Sequence, residues 1–329
     1  MINPIISICI PTYNRATNLK ETLNSIVSQS RFQETEDVEI VILDNGSTDN
    51  TSKVIDDFEK KYCRKITRCY NENNDMFLDL EKLFSLGKGV FLKFNNDTLK
   101  HNNGSLDKMI QIICECQKDG TIPFFSTGVL KTEKNILCNT LDSFVGIVSY
   151  WSTWTGAFGI WKEDFQHFED FSRHKRLQIL QTDVLFRLIN TNKAVLINCE
   201  RLFITLPLEK KGGYDLITVF LDNYIFLLAE QVRNKALSEK TFAKEKRKLL
   251  FRFICPWLIN IKINPEKYYF TANNSFRRIF SHYKQDFLTL VIYIVYFNLA
   301  LYFNLAKKSM SNYFSKQPSS PHTIFSYIL

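Results

Sequence analysis

Residues 38–51 read VEIVILDNGSTDNT, and this stretch decides the class of fold. Val38 to Leu43 is a nearly continuous apolar run, which predicts a β-strand buried on both faces. The loop after it begins with Asp44 and Asn45, whose side chains are costly to bury without partners. In parallel sheets, ligands bind beyond the carboxyl ends of the strands. The stretch therefore predicts a buried strand with a ligand-facing tip.

A pattern of strand, loop and helix occurs on both sides of this stretch. Ile5 to Ile10 is an apolar run that ends at Pro11, and we expect Asn18 to cap the helix that follows. The alternation continues with a helix after residue 51, a strand at 66–70, a helix at 76–86 and a strand at 90–94. Such alternation predicts an α/β fold with a mainly parallel, Rossmann-like sheet flanked by helices.

Polar residues follow the first, second and fourth predicted strands. They are Thr12, Tyr13 and Asn14, then Asp44 and Asn45, then Asn95, Asn96 and Asp97. A turn explains each cluster singly but does not predict that all three meet at one sheet edge. Neither GxGxxG nor GxxxxGK[ST] is present, which excludes the common dinucleotide and P-loop sites. We expect Asp44 to bind a base or ribose, Tyr13 to stack, and Asp97 to hold a divalent cation.

Composition limits the partners of the chain. Its 329 residues are 45% hydrophobic and carry a net charge of +8, which indicates a folded protein with an anionic partner. The basic residues after Lys210 alternate with long apolar stretches, a mixture that suits a membrane surface better than nucleic acid. No signal peptide precedes the first strand, so we expect a cytosolic catalytic part. The eight cysteines have no CxxC spacing and are interpreted as reduced thiols.

These motifs resemble those of a known family. SICIPTYNR (residues 7–15), VEIVILDNGSTDNT and the strand that ends at Asp97 resemble the family 2 glycosyltransferases, which have the GT-A fold. The resemblance covers roughly the first 210 residues. TWTGAFGIWKEDF (153–165) and GGYD (212–215) are most similar to transferases that build O-antigen and capsular polysaccharides. We therefore predict a catalytic GT-A domain over 1–210 and a helical, basic and aromatic region over 211–329.

The resemblance implies a set of substrate-binding residues for a nucleotide-sugar donor. They are Pro11, Thr12, Tyr13, Asn14, Arg15, Asp44, Asn45, Gly46, Asn95, Asn96, Trp154 and Gly156. It also implies that Asp97 carries Mg²⁺ or Mn²⁺ against the diphosphate. Amides replace the other acids of the usual acidic run, so we expect weak metal binding that depends on the donor. Trp154 has an alternative role in filling the core.

The same resemblance implies an inverting displacement in which a carboxylate removes the proton of the acceptor hydroxyl. Asp183, in LQILQTDVLFRLI, is the candidate, although Thr182 precedes it where the family has a Glu-Asp pair. The alternative is an exposed acid on an amphipathic helix, and Asp164 is the reserve candidate. Two further functions stay open: a catalytically inactive module that binds nucleotide or glycan, and a basic peripheral membrane or nucleic-acid-binding protein.

The C-terminal region contains a candidate membrane segment. Residues 287–306 carry no charge and, at about 1.5 Å per residue, are long enough to cross a hydrocarbon layer of about 30 Å. A spanning helix, a surface-lying helix and a buried helix all remain open, and we favour membrane contact without a full span. We expect the protein at the cytoplasmic face of a membrane, with a lipid-linked glycan as its acceptor. Gly212 to Tyr214 is either a mobile loop over the diphosphate or a linker.

Overall fold

A computed structural model describes residues 3–71, 79–132, 134–208 and 211–315. The chain divides into two compact units. The first comprises Met1–Glu209 and Thr218–Lys246, and the second comprises Lys210–Ile217 and Arg247–Leu329. The division into a 1–210 domain and a 211–329 region stays a prediction.

The first unit is a mixed α/β structure. Its strands are β1 (Ile6–Thr12), β2 (Val38–Asp44), β3 (Ile66–Tyr70), β4 (Phe91–Phe94), β5 (Leu99–His101), β6 (Ile122–Phe125), β7 (Ile136–Cys138), β8 (Gly159–Trp161), β9 (Val195–Asn198) and β10 (Phe203–Thr205). Its helices are α1 (Ala16–Val27), α2 (Ser30–Glu34), α3 (Thr51–Lys61), α4 (Leu80–Ser85), α5 (Ser105–Gln117), α6 (Leu141–Val148), α7 (Lys162–Gln166), α8 (Leu180–Ile189), α9 (Tyr224–Arg233) and α10 (Glu239–Leu249), the last of which ends in the second unit.

The central sheet has the order β3-β2-β1-β4-β8. Strands β1 to β4 run parallel, whereas β8 is antiparallel to β4. The sheet is buried because β1 and β2 are apolar on both faces and join a core with α1 and α5. The four predicted parallel strands are confirmed within one or two residues at their ends. Because β2 and β4 both flank β1, their carboxyl ends meet at its carboxyl end.

Two of the predicted helix starts differ from the structure. The first helix begins at Ala16, not after Asn18, and the Asn18 amide donates instead to the carbonyl of Pro207 at 3.1 Å. Helix α4 begins at Leu80, where the Asp79 side chain caps it by accepting from the Lys82 N–H at 3.0 Å. The earlier part of that predicted helix, over 72–78, lies outside the described residues.

The second unit contains a small parallel sheet as well as helices. Its elements are β11 (Lys211–Asp215), α11 (Cys255–Ile263), β12 (Tyr268–Thr271), α12 (Ser275–Tyr283) and α13 (Phe287–Ser315). The prediction of a helical region missed β11 and β12. Gly212 adopts φ 134° in β11, and a Cβ there would lie 2.5 Å from the backbone nitrogen of Phe270 in β12. Residues 212–214 thus form a strand in this structure, not a loop.

Helix α13 is long and apolar enough to cross a membrane. Its segment Phe287–Ser309 has a mean hydropathy of 1.8, and only 17% of the most apolar window is buried. Exposed apolar side chains occur along this segment and on α12, where Phe276 and Phe280 are 59% and 50% exposed. An exposed apolar surface of this length is unusual for a helix that faces water.

Candidate active site

The tips of β1, β2 and β4 form one site, and Thr12 joins them. Thr12 is the register partner of Asp44 in the β1–β2 ladder. The Thr12 hydroxyl donates to Oδ2 of Asp97, just beyond β4, at 2.9 Å. The structure thus brings together the first, second and fourth strand tips, as the sequence predicts.

Asp44 has a carboxylate oxygen that is available to a ligand. Its side chain is fully buried, and Oδ1 accepts from the backbone N–H of Ser47 at 3.0 Å. Oδ2 is also buried and has no hydrogen-bond partner among the described residues. An unpaired buried carboxylate oxygen is costly, so its presence favours a donor group supplied from outside the protein.

The residues next to Asp44 shape the loop that follows β2. The side-chain carbonyl of Asn45 accepts from the Asn71 amide at 3.0 Å. Gly46 adopts φ 79°, a conformation that glycine reaches without strain. These contacts fix the loop beside Asp44.

The loops that follow β1 and β2 hold each other in place. Oδ1 of Asn14 accepts from the backbone N–H of Thr48 at 2.7 Å, and the N–H of Arg15 donates to the Thr51 hydroxyl at 3.0 Å. Tyr13 lies between these anchored positions and is 39% exposed, while Pro11 is partly buried at the end of β1. The exposed Tyr13 ring is available to stack on a planar group.

The three residues at the tip of β4 differ in their surroundings. Asn95 is fully buried, its amide donates to the Asn96 carbonyl at 3.0 Å, and its Oδ1 lies 3.0 Å from Nε2 of His101. Burial and the nearby Lys93 lower the pKa of His101 to about 3, so the imidazole is neutral and its Nε2–H donates to Asn95. The structure therefore does not bring the Asn95 side chain to the cleft with the others. Its polar groups support the tip instead.

Asp97 is a partly exposed carboxylate, and no cation of the described residues lies within ion-pair distance of it. Burial raises its pKa to about 6, although the Thr12 hydroxyl and the charge of Arg15 act in the opposite direction. A nearby cation would stabilise the charged form of such a carboxylate. With the amide oxygen of Asn96 it offers oxygen ligands of the kind that Mg²⁺ and Mn²⁺ prefer. The residues present fit a divalent ion held by one carboxylate, the donor phosphates and water.

The segment Trp154–Gly156 lies against the β4 tip. The Thr155 hydroxyl donates to Oδ1 of Asn96 at 2.9 Å. A Cβ on Gly156 would lie 2.6 Å from Cδ1 of Leu99 and 2.7 Å from Cζ2 of Trp154, so only glycine fits there. Trp154 is partly buried against this glycine and remains partly exposed.

Trp161, by contrast, is a core residue. Its Nε1–H donates to the Thr121 carbonyl at 3.2 Å, and its ring packs 5.0 Å from that of Phe91. This buried environment makes Trp161 part of the core.

Asp183 lies in the first turn of α8 and is fully buried, which corrects the alternative of an exposed acid. Its two oxygens accept from Nε and Nη2 of Arg173 at 3.0 and 2.5 Å, and Nη2 also donates to Glu230 at 3.0 Å. Gln181, in the same turn, donates to the Thr153 carbonyl at 2.7 Å, next to the Trp154–Gly156 segment. Gln181 therefore links the first turn of α8, which carries Asp183, to the residue before the Trp154–Gly156 segment.

Asp164, the reserve candidate, is in an ion pair with Nζ of Lys193 at 2.8 Å. Sequence reasoning missed Arg173 and Lys93. The sequence around Arg173 has no pattern that indicates its role. Lys93, in contrast, is recognisable in the sequence as a charged residue within the apolar strand FLKF.

Comparison with known families gives one domain match. Residues 7–137 match the family model described as glycosyl transferase family 2. This range contains β1 to β6 and all of the strand-tip residues.

Two curated relatives match short parts of the chain. A 58-residue segment is 52% identical to the abequosyltransferase RfbV of Salmonella typhimurium, covering 18% of this chain and 17% of that protein. The putative teichuronic acid biosynthesis glycosyltransferase TuaG of Bacillus subtilis is 25% identical over 112 residues, or 34% of this chain and 43% of TuaG. The chain thus spans less than half the length of either relative.

Solved structures extend the likeness over most of the chain. S. aureus TarS 1-349 in complex with UDP-GlcNAc has a TM-score of 0.55 at 16% identity, covering 78% of this chain and 76% of that one. The mannosyltransferase PcManGT from Pyrobaculum calidifontis, in complex with GDP-Man and Mn²⁺, has a TM-score of 0.55 at 14% identity, covering 96% and 89%. These likenesses confirm the predicted GT-A fold.

Proposed function

Since the chain belongs to the family 2 glycosyltransferases, we propose that it transfers a sugar from a nucleotide-sugar donor to a hydroxyl group of a glycan acceptor. The observation that carries this proposal is the position of Thr12, which joins Asp44 and Asp97 at one sheet edge. Asp44 then lies at the nucleoside of the donor, and Asp97 lies at its diphosphate.

The donor's nucleoside binds at the tips of β1 and β2. The unpaired Oδ2 of Asp44 accepts hydrogen bonds from the base or ribose, and the exposed ring of Tyr13 stacks on the base. Pro11, Asn14, Arg15, Asn45 and Gly46 complete this part of the site. The anchored loops make the pocket rigid, so little ordering is needed on binding.

The diphosphate and sugar lie beside the β4 tip. Asp97 and Asn96 would hold a divalent cation, which when bound neutralises charge on the leaving diphosphate. Trp154 and Gly156 form the wall for the sugar ring, because the glycine leaves the tryptophan close to the tip. A metal site with one carboxylate depends on phosphate oxygens for its remaining ligands, which supports weak binding that requires the donor.

The chemistry is a single displacement with inversion. The acceptor oxygen forms a bond to the anomeric carbon as the bond from that carbon to the nucleoside diphosphate breaks, and a carboxylate takes the hydroxyl proton. Asp183 is the proposed proton acceptor, and Arg173 orients its carboxylate. Because Asp183 is closed to solvent, this role requires movement of the Arg173 side chain, which is 27% exposed. A purely structural ion pair is the competing role.

We place the reaction in surface-polysaccharide biosynthesis at the cytoplasmic face of a membrane. The names of RfbV and TuaG support a polysaccharide product. The exposed apolar length of α13 supports membrane contact, and a lipid-linked glycan is an acceptor that such contact would bring within reach. Lys307, at one end of the apolar segment, suits an anionic cytoplasmic leaflet, whereas the ammonium of Lys308 donates to the carbonyl of Ile263.

One observation favours a second function, a module that binds nucleotide sugars without turning them over. The amides Asn95 and Asn96 stand where the family has acids, and Asn95 is committed to contacts inside the protein. This arrangement reduces the charge available to a metal ion. Nucleotide binding without hydrolysis or transfer of any donor sugar would support this alternative.

A donor screen tests the proposal. Purified protein is incubated with UDP-, GDP-, CDP- and dTDP-sugars with and without Mn²⁺, and both hydrolysis and transfer are measured for wild type and Asp97→Ala. We expect turnover of one donor class and markedly lower turnover for the variant. Asp107→Ala is the matched control, because that carboxylate is half-exposed in an ion pair with Arg31. Equal rates for wild type and Asp97→Ala would remove Asp97 from the mechanism.

A further inference from the structure

Lys93 is a lysine in the middle of the buried strand β4. Its side chain is fully buried, and lysine is rarely found in such a position without a carboxylate partner. Nζ instead donates to two backbone carbonyls, those of Phe94 and Gly156, each at 2.6 Å. The rings of Phe203 and Phe125 lie 5.2 and 5.7 Å from Nζ. A buried ammonium held this way has a cost to stability that calls for a function.

The backbone explains why a donor is needed at this point. The β4–β8 ladder ends at the pair Lys93 and Gly159. Beyond it, the N–H of Phe94 donates to the Phe158 carbonyl at 3.0 Å, but the N–H of Phe158 turns away and donates to the Thr155 carbonyl at 3.0 Å. Nζ of Lys93 donates to the Phe94 carbonyl instead of the N–H of Phe158. It also donates to the carbonyl of Gly156 in the same turn.

The turn is also held by its other residues. The Thr155 hydroxyl donates to Asn96, which precedes Asp97, and Gly156 packs with no room for a Cβ against Leu99 and Trp154. The hydrogen bonds of Lys93 to Gly156, Phe94 to Phe158 and Thr155 to Asn96 therefore fix the turn to the end of β4, and Gly156 packs it against Leu99 of β5. The Trp154–Gly156 segment cannot shift without moving at least one of them.

We propose that Lys93 is a positioning residue that holds the Trp154–Gly156 wall against the metal-binding tip of β4, and so sets where the donor sugar lies relative to its diphosphate. This inference rests on the proposed function, which assigns the wall to the sugar. It adds a specific prediction: loss of Lys93 separates sugar transfer from nucleotide binding, because Asp44 and Tyr13 belong to other strand tips.

The protonation of Lys93 gives an independent signature of this arrangement. Burial lowers its pKa to about 7, with a smaller opposing effect from Cys9. The titratable groups that face it are Cys9 on β1, whose thiol pKa is raised by burial, and His101 on β5, whose pKa is lowered to about 3 by burial, so both are neutral near pH 7. Because the unfolded lysine binds its proton up to about pH 10.5, stability rises with pH between about 7 and 10.5.

The test compares wild type with Lys93→Met in the full chain. Hydrogen exchange of residues 153–159 is measured by mass spectrometry, together with nucleoside diphosphate affinity, kcat for sugar transfer and the melting temperature from pH 6 to 10. We expect exchange at the turn to become faster by about tenfold and kcat to fall by about tenfold or more, since small misplacements of reacting groups are costly. Nucleotide affinity stays within about twofold, and the pH-dependent gain in stability is reduced.

Two further variants keep the inference falsifiable. Lys100→Met is the matched control, because Lys100 is a half-exposed strand lysine paired with Glu21 and should leave every measurement unchanged. Lys93→Gln replaces the ammonium by an amide on a shorter side chain and should also speed exchange of the turn, which decides the question if Lys93→Met does not fold.

Unchanged exchange at 153–159 in Lys93→Met or, where that variant does not fold, in Lys93→Gln would overturn the inference, as would unchanged kcat with faster exchange. If wild type turns over no donor at all, the proposed function fails. The exchange data would then still report whether Lys93 holds the turn.

Discussion

Replacing Asp97 by Asn should make the ligand-free protein more stable while removing its response to divalent ions. A carboxylate whose pKa rises from 3.8 to about 6 on folding is destabilising above pH 6 by about 3 kcal/mol. Partial exposure of the side chain reduces this figure to about 2 kcal/mol. The asparagine keeps an oxygen that accepts from Thr12 at the same place, so the substitution removes charge with little change in shape.

The sign of the pH dependence follows from the same shift. The folded state binds the Asp97 proton more tightly than the unfolded state, so the stabilising contribution is complete below about pH 3.8 and is lost as pH rises through about 6. Urea unfolding of wild type and Asp97→Asn at pH 4.5, 6 and 7.5 measures the difference. We expect the stability of the variant relative to wild type to increase over this range.

The addition of ligand should narrow this difference in stability between wild type and Asp97→Asn. A nucleoside diphosphate with Mn²⁺ at about ten times its dissociation constant should stabilise wild type by about 1.4 kcal/mol and the variant by much less. Asp107→Asn serves as the control, since its exposed carboxylate should show neither effect. Two results would refute this reasoning: a variant that is less stable than wild type at pH 7.5, or one that Mn²⁺ with nucleotide stabilises as much as wild type. Either would show that the charge of Asp97 does not destabilise the ligand-free protein or does not bind the ion.

Other predictions concern the base site, the proton acceptor and the membrane surface. Asp44→Asn should weaken nucleotide binding by about tenfold, measured by calorimetry, with little loss of melting temperature, because Oδ2 has no partner among the described residues. Asp183→Asn should lower kcat at least a hundredfold without changing donor affinity if Asp183 takes the proton; a large loss of melting temperature with modest loss of kcat would instead identify a structural pair with Arg173. Phe276→Glu with Phe280→Glu should reduce flotation with vesicles containing anionic lipid, and unchanged flotation would exclude α12 from the membrane contact.

The sheet was predictable because its strands are encoded locally. Val38 to Leu43 is apolar on both faces and is followed at once by Asp44, so the sequence marks both the strand and its functional end. Parallel pairing of β2 and β4 with β1 then follows from the alternating helices, and the meeting of Asp44 and Asp97 at Thr12 follows from that pairing.

The parts that failed depend on contacts made far along the chain. Asn18 has the chemistry of a helix cap, but its amide donates to the carbonyl of Pro207. For Asp183 only the alternative of an exposed acid was wrong, because helical periodicity cannot reveal that the side chain is buried and paired with Arg173. The strand at Lys211–Asp215 is short and rich in glycine, and only its pairing with β12 defines it.

The single hydroxyl of Thr12, set between the two carboxylate-bearing strand tips, has a thermodynamic consequence. A ligand that orders this residue from the Asp44 side changes the surroundings of Asp97, and the reverse also holds. Linkage then demands reciprocity: the factor by which an ion tightens a nucleotide equals the factor by which the nucleotide tightens the ion. We expect this coupling to be favourable, so the ternary complex should be stronger than the two separately measured binary affinities imply.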